Sequence, residues 1–256
     1  MPPSRLPGAL LRAELSALGP YFAVGAHGAG TAVRQPWQPL GALAGSPGAL
    51  RERAVQTRRA LARNAGPAAP APSFRVAASV AHLGLAARLI SPVFGAAVLS
   101  RGVLPMEMDQ ARWAPAAGSM IQLSLPDTAI DAAASPGQLG TAALADALAR
   151  GLLDGPVGAL VDSYADMSVS RQILWGNVAS AINGATVVVS QGRPGLRDRA
   201  TELADALLST PHLTGRHHGR PGRDFRRRSC CLIYRAAPAP GAGICGDCVL
   251  AARRPD

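Results

Sequence analysis

The sequence predicts a mainly α protein of the α+β kind: one helical domain with a small β-hairpin or sheet and a cysteine-bearing C-terminal segment. Apolar residues make up 48% of the 256 residues and charged residues 16%, whereas aromatic residues make up only 4%. The apolar surplus is therefore small Ala and Leu side chains, which favour packed helices over strands. Apolar positions recur at helical spacing over most of the chain, and all four cysteines lie after residue 210.

Residues 1–73 are predicted to form a helical N-terminal region that ends in a linker. A first helix has one apolar face, made of Leu6, Leu10, Leu11, Leu15 and Leu18. A second helix is predicted from Pro47 to Arg63. Its arginines are expected on a solvated face; they are Arg51, Arg53, Arg58, Arg59 and Arg63. The Pro- and Ala-rich residues 65–73 cannot hold a helix, so we expect the main body to begin at Phe74.

Residues 74–210 are predicted to be the helical body. Val76 to Ile90 is expected to form a buried helix that continues beyond Pro92 as Val93 to Leu99. The stretch is apolar enough to be considered as a membrane span, which needs about 20 nearly charge-free residues. His82 and Arg88 interrupt it, so the sequence favours core helices.

A strand is predicted at Met120 to Leu125, where apolar and polar side chains alternate. Trp113 lies just upstream, across the turn from Pro115 to Gly118. The two stretches are therefore expected to pair as a hairpin.

Four more helices are predicted in the body. The first begins with Ser135 as N-cap, Pro136 in the first turn and Gln138 as capping-box partner. It runs to about Arg150 with four side chains inward: Leu139, Ala142, Ala143 and Leu148. The others run over Pro156 to Met167, Ser170 to Ile182 and residues 196–208. In the helix that begins at Ser170, Gly176, Ser180 and Gly184 recur every four residues. Such a pattern of small residues lets another backbone approach closely.

The segment 211–256 carries most of the net charge. It holds nine Arg and three Asp, so it contributes +6 of the +10. Every basic residue of the chain is Arg, for which a GC-rich coding sequence is the simplest cause. The segment lacks the apolar residues for a core, so its order is expected to come from something bound.

We find no secretory signal in residues 1–20 and expect a cytoplasmic protein, in which clustered thiols indicate metal rather than disulfides.

The cysteines follow the pattern C-C-x13-C-x2-C, with Cys230 and Cys231 adjacent and Cys245 and Cys248 flanking Gly246 and Asp247. A Cys-x2-Cys turn places two thiolates on one metal. Adjacent cysteines point to opposite sides of an extended chain, so both reach one site only if the backbone bends. The spacing leaves three interpretations open: four unconnected buried thiols, a structural Zn(Cys)4 site, and a [2Fe-2S] cluster with two cysteines on each iron.

Two motifs resemble the FhuF-type ferric-siderophore reductases. The first runs from Arg227 to Arg235 and then from Cys245 to Leu250. The second is Leu174 to Ala181, with the sequence LWGNVASA. Weaker similarity reaches back to Ser79 to Pro92, and residues 1–70 are not covered. The loop between Cys231 and Cys245 is a few residues longer than is usual in the family.

The resemblance implies a function and a site. By this resemblance, the four cysteines of the chain would hold a [2Fe-2S] cluster. They are Cys230, Cys231, Cys245 and Cys248. The protein would transfer one electron to a ferric hydroxamate-type siderophore and release ferrous iron in the cytosol, with no catalytic residue beyond the cluster. The implied partners are the ferric siderophore and an electron donor such as a ferredoxin or a reductase. We expect a monomer that does not bind nucleic acid and leave open a peripheral contact with the inner membrane.

Five further residues are candidates for substrate or partner contacts. Positive charge at Arg226, Arg227, Arg228 and Arg235 would raise the potential of the cluster and attract an acidic donor or an anionic siderophore; the alternative is a solvated basic tail. Trp175 is either a wall of the siderophore pocket or a helix-packing residue.

The main alternative function is a non-enzymatic zinc module whose Arg-rich tail contacts nucleic acid. The sequence pI of 11.0, the arginine run and the cysteine count support it. The scarcity of stacking aromatics in the tail and the match at Leu174 to Ala181 oppose it. Iron content and salt-dependent nucleic-acid binding would separate the two.

Overall fold

A computed structural model describes residues 7–66, 69–116, 120–135, 139–236 and 244–250. Helices dominate the described residues and the strands are short, which confirms the predicted fold class. The helices are α1 Gly8–Ala17, α2 Leu40–Ala44, α3 Pro47–Ala65, α4 Phe74–Ser100, α5 Asp127–Ala134, α6 Thr141–Leu148, α7 Gly158–Ala165, α8 Arg171–Gly192 and α9 Arg197–Leu208. A kinked stretch, Ala149–Val157, joins α6 to α7, and its backbone is non-helical at Gly155.

Within the described ranges, six short strands form two sheets. They are β1 Gly25–His27, β2 Gln38–Pro39, β3 Arg112–Pro115, β4 Ile121–Pro126, β5 His217–His218 and β6 Arg226–Arg227. The first sheet has the order β1-β4-β3-β2, and β5 pairs with β6 in the second. The hairpin of β3 and β4 confirms the prediction, with Trp113 opposite Leu123.

Helix α4 is the central element of the core. It packs along α8 and α3, and Pro92 lies inside one continuous helix of 27 residues. By length and composition, α4 and α8 could each cross a membrane, but 72% and 78% of their most apolar windows are buried within the protein. Both are therefore core helices of a fold that fits a soluble protein, as the sequence predicts.

Helix α4 also carries a buried arginine that ties it to the sheet. Arg88 is 4% exposed, and its guanidinium donates to the carbonyls of Ile121 at 3.0 Å, Tyr21 at 3.0 Å and Ala23 at 2.6 Å. Burial lowers the pKa of Arg88 to about 10, so the side chain still carries its charge at neutral pH.

Replacing Arg88 by Met is expected to lower the free energy of unfolding by about 3 kcal/mol or more, because it leaves buried carbonyls without donors. Equilibrium denaturation measures the change. Arg59→Met is the matched control on the exposed face of α3, with an expected change of less than about 0.5 kcal/mol. Equal denaturation midpoints for the two variants would contradict this role for Arg88.

Helices α3 and α8 begin where the sequence predicts them. Helix α3 begins at Pro47, with the Ser46 hydroxyl accepting from the backbone N–H of Ala49. Helix α8 begins after Ser170 as predicted and extends to Gly192, ten residues past the predicted end. The boundaries predicted at residues 73 and 210 stay predictions.

The helix predicted from Ser135 starts later than expected. Ser135 is the C-cap of α5, which the sequence pattern did not predict, and α6 begins at Thr141. Three positions predicted to face inward are exposed: Leu139, Ala142 and Ala143. Leu148 is buried as predicted, together with Leu144 and Ala145. The predicted roles of Pro136 and Gln138 lie outside the described residues.

Two other burial predictions are wrong. Leu10 is 45% exposed, whereas Leu11, Leu15 and Leu18 of the same predicted face are buried. Arg53, predicted on the solvated face of α3, is half-buried, and burial lowers the pKa of its guanidinium.

Candidate metal centre

The C-terminal segment packs against the helical body. Leu213 and Phe225 are 0% and 2% exposed and belong to the main hydrophobic core. Strand β6 contacts α8, and the 3-10 turn Ile233–Ala236 contacts α3 and α4. The segment therefore takes part of its order from this packing. The sequence predicts instead that all of its order comes from something bound.

The four cysteines lie at two places in this segment. Cys230 and Cys231 follow β6, and Cys245 and Cys248 lie on a turn in which the N–H of Cys248 donates to the carbonyl of Cys245 at 3.0 Å. The Sγ atoms of Cys231 and Cys245 are 3.5 Å apart, so the two places meet. Cys231 and Cys248 are buried, whereas Cys230 and Cys245 are partly exposed.

The backbone after the adjacent cysteines bends, as two neighbouring ligands require. Leu232 has a positive φ of 71°, and the 3-10 turn Ile233–Ala236 begins immediately after it. The N–H of Leu232 donates to the Sγ of Cys230, and the N–H of Leu250 donates to the Sγ of Cys248, both at 3.3 Å. Hydrogen bonds of this kind stabilise thiolates and tune clusters bound to them.

The thiols are electrostatically coupled to one another and to a buried cation. The hydrogen bond with Cys245 lowers the pKa of the Cys231 thiol, and the Arg227 guanidinium also lowers it. Burial raises the pKa of Cys230. All four cysteines are free thiols, and this donor set of soft sulfurs fits a cluster that takes two cysteines on each iron. Within the described ranges, no three His, Cys, Asp or Glu side chains lie close enough to hold one metal ion.

Of the four arginines singled out by the sequence, Arg227 alone is buried, at 0% exposure. Arg226, Arg228 and Arg235 are exposed. The backbone N–H of Arg227 donates to the carbonyl of Asp247 at 3.0 Å, which ties β6 to the Cys245–Cys248 turn.

Helix α8 holds the segment in place through residues within and just after the LWGNVASA stretch. An ideal Cβ on Gly176 would lie 2.1 Å from the Ser229 Oγ, so the absence of a side chain makes room for the residue before Cys230. The Asp247 carboxylate accepts from the Ser180 hydroxyl and from Asn183 Nδ2, the latter at 2.9 Å. Gly176 and Ser180 thus receive the close approach that their spacing predicts.

Asn177 links α8 to both the segment and α4. Its Oδ1 accepts from Arg227 at 2.6 Å, and its Nδ2 donates to the Ser79 carbonyl at 3.0 Å and lies 3.3 Å from His82 Nδ1. The Ser79 hydroxyl in turn donates to the Cys231 carbonyl at 2.9 Å. Asn177, Asn183, Ser79 and Asp247 were not predicted as site residues from the sequence, although Asn177 lies within the LWGNVASA stretch.

Trp175 is 7% exposed. Its ring stacks on the ring of His212, with centroids 4.4 Å apart and planes 10° apart. The contact holds the start of the C-terminal segment on α8. A role for Trp175 in a siderophore pocket stays a prediction.

Comparison with known proteins agrees with this geometry. Residues 227–250, which include the four cysteines, match the family model described as the FhuF 2Fe-2S C-terminal domain. Among curated proteins, none matches the chain significantly. The family match favours a [2Fe-2S] cluster over the zinc site that the spacing left open. The resemblance to FhuF-type proteins is thereby confirmed for residues 227–250, which are similar to the FhuF 2Fe-2S C-terminal domain.

Proposed function

We propose that the protein is a cytoplasmic ferric-siderophore reductase whose [2Fe-2S] cluster is held by Cys230, Cys231, Cys245 and Cys248. The observation that carries the proposal is the meeting of the two cysteine pairs at the protein surface, in a segment that matches a 2Fe-2S domain. When bound, such a cluster supplies one electron at a time.

The uneven burial of the thiols suits electron transfer to a bulky chelate. Cys231 and Cys248 are buried and anchor the site, whereas Cys230 and Cys245 are partly exposed on its outer side. A ferric chelate can therefore approach the outer pair without entering the core. Hydroxamate oxygens are hard donors that hold ferric iron better than ferrous iron, so a one-electron reduction of the bound ferric ion promotes its release as ferrous ion.

The exposed arginines are suited to recruiting partners. Arg226 and Arg228 flank the buried Arg227, and Arg235 lies on the turn after Cys231. A positive surface beside the site raises the encounter rate with anions. We propose that it attracts an acidic electron-donor protein, such as a ferredoxin, and anionic siderophores, and that the protein acts as a monomer.

The test is a single-turnover reaction under anaerobic conditions. The protein is reduced with dithionite, freed of excess reductant, and mixed with a ferric trihydroxamate chelate and a ferrous-specific chromophore. We expect the visible spectrum of the oxidised cluster to return as ferrous ion appears, with one ferrous ion formed for each electron lost. A reduced protein that keeps its spectrum with the chelate while still being oxidised by ferricyanide would refute the proposed function.

A further inference from the structure

The side chain of Arg227 is only partly satisfied by the protein. Its NH2 group donates to Asn177 Oδ1 at 2.6 Å and to the Ile173 carbonyl at 3.3 Å. Its Nε and NH1 are buried and have no hydrogen-bond partner among the described residues. Leaving buried donors unpaired is costly, so these groups point to an acceptor that the described part of the polypeptide does not supply.

The charge of Arg227 is also uncompensated. No carboxylate of the described residues forms a salt bridge with it, and the nearby Asp247 carboxylate is engaged by Ser180 and Asn183. Burial lowers the pKa of Arg227, and the thiols of Cys231, Cys245 and Cys230 are the main groups that oppose this shift. Arg227 lies three residues before Cys230, and its backbone N–H is bonded to Asp247 within the Cys245–Cys248 turn, so the sulfur atoms at this site are the candidate acceptors.

The position of the guanidinium is fixed from the opposite side. Asn177 directs its Oδ1 to Arg227 because its Nδ2 is held by the Ser79 carbonyl and His82 Nδ1. Burial, followed by the charge of Arg227, lowers the pKa of His82 to about 3, so His82 stays neutral at physiological pH and adds no second charge.

We propose that Arg227 is the positioning residue that raises the reduction potential of the [2Fe-2S] cluster, through a buried positive charge held by Asn177 against the cysteine sulfurs. The proposal rests on the cluster assignment made in the proposed function. Reduction adds one negative charge, and a cation in a medium of low dielectric constant stabilises the reduced state far more than a solvated cation does. The exposed Arg228 contributes little to the potential because water and salt screen it.

The experiment is a dye-mediated redox titration of the full-length protein, with Arg227→Gln compared with Arg228→Gln at low and high salt. Both variants lose one positive charge from adjacent positions of the chain. For Arg227→Gln we expect the ratio of reduced to oxidised cluster at a fixed potential to fall at least tenfold, which is about 59 mV for one electron. Arg227→Lys should recover most of this change, and Arg228→Gln should have a small effect that disappears at high salt. A wild-type potential in Arg227→Gln, or an equal salt-independent shift in Arg228→Gln, would overturn the proposal.

Asn177→Asp covers the case in which Arg227→Gln does not retain the cluster. The new carboxylate would lie where the amide oxygen now accepts from Arg227 at 2.6 Å and would compensate its charge with the arginine still in place. We expect a lower potential here as well, and an unchanged potential would count against the role of Arg227. Because the titration uses dyes only, its result is independent of siderophore reduction: a wild-type protein that fails to reduce the chelate refutes the proposed function but not the role of Arg227.

Discussion

Replacing Cys248 by Ser is expected to abolish cluster binding. Cys248 is 3% exposed, and its Sγ accepts the backbone N–H of Leu250 at 3.3 Å, so its sulfur is buried and held in place. A serine hydroxyl does not ionise near neutral pH and is a poor ligand for iron that prefers thiolates. All four cysteines of the chain belong to the proposed ligand set, so no spare thiol can take over. Iron and sulfide per chain should fall to background, and the visible absorbance should be lost.

Ser229→Ala is the matched control for this variant, because Ser229 lies in the same segment and adjacent to Cys230 but is not a proposed ligand. Its hydroxyl donates to the Gln172 carbonyl at 3.1 Å, a neutral bond whose loss costs about 1 kcal/mol, so the control should retain its cluster. Far-UV circular dichroism of both proteins reports whether the helices persist. Full iron content and absorbance in Cys248→Ser would remove Cys248 from the ligand set.

Replacing Gly176 by Ala is expected to displace the cysteine segment from α8. The new Cβ would lie 2.1 Å from the Ser229 Oγ and 3.2 Å from the Arg227 NH2, so the residues before Cys230 must move. Overpacking of this kind costs about 1–3 kcal/mol, which outweighs the gain of up to about 1 kcal/mol for Ala over Gly within a helix. We expect a lower melting temperature and a lower cluster content after purification.

Gly184→Ala provides the control on the same helix. An ideal Cβ there meets nothing within 4 Å among the described residues, so the variant should be neutral or stabilised by up to about 1 kcal/mol. The double variant Gly176→Ala with Ser229→Ala should recover much of the loss, because the clashing oxygen is gone. Equal stability and cluster content in the two single glycine variants would show that the close approach at Gly176 is unimportant.

Sequence patterns predicted the long elements of the fold better than the short ones. Helices α3 and α9 have clear helical spacing and were predicted near their bounds, whereas α8 was predicted correctly at its start only. Strands β1 and β2 have three and two residues, too few for an alternation to be recognised. Ser135 matched a helix-start signal but ends α5, because the residues that favour N-caps also occur where helices stop.

The sequence was enough to predict the ligands of the site, but not the residues that hold these ligands in place. Cysteine type and spacing indicated a metal site, and the resemblance specified the cluster. The spacing of Gly176, Ser180 and Gly184 predicted a close approach to this helix without identifying what approaches; the structure places Ser229 and Asp247 at the first two. Asn177 and Ser79 act through contacts between residues far apart in sequence, which no local pattern reveals.

The most direct test of the account is metal and sulfide analysis, with a visible absorption spectrum, on protein purified without oxygen. The account predicts about two irons and two sulfides per chain and a red-brown colour that dithionite bleaches. A colourless protein that carries one zinc would contradict it.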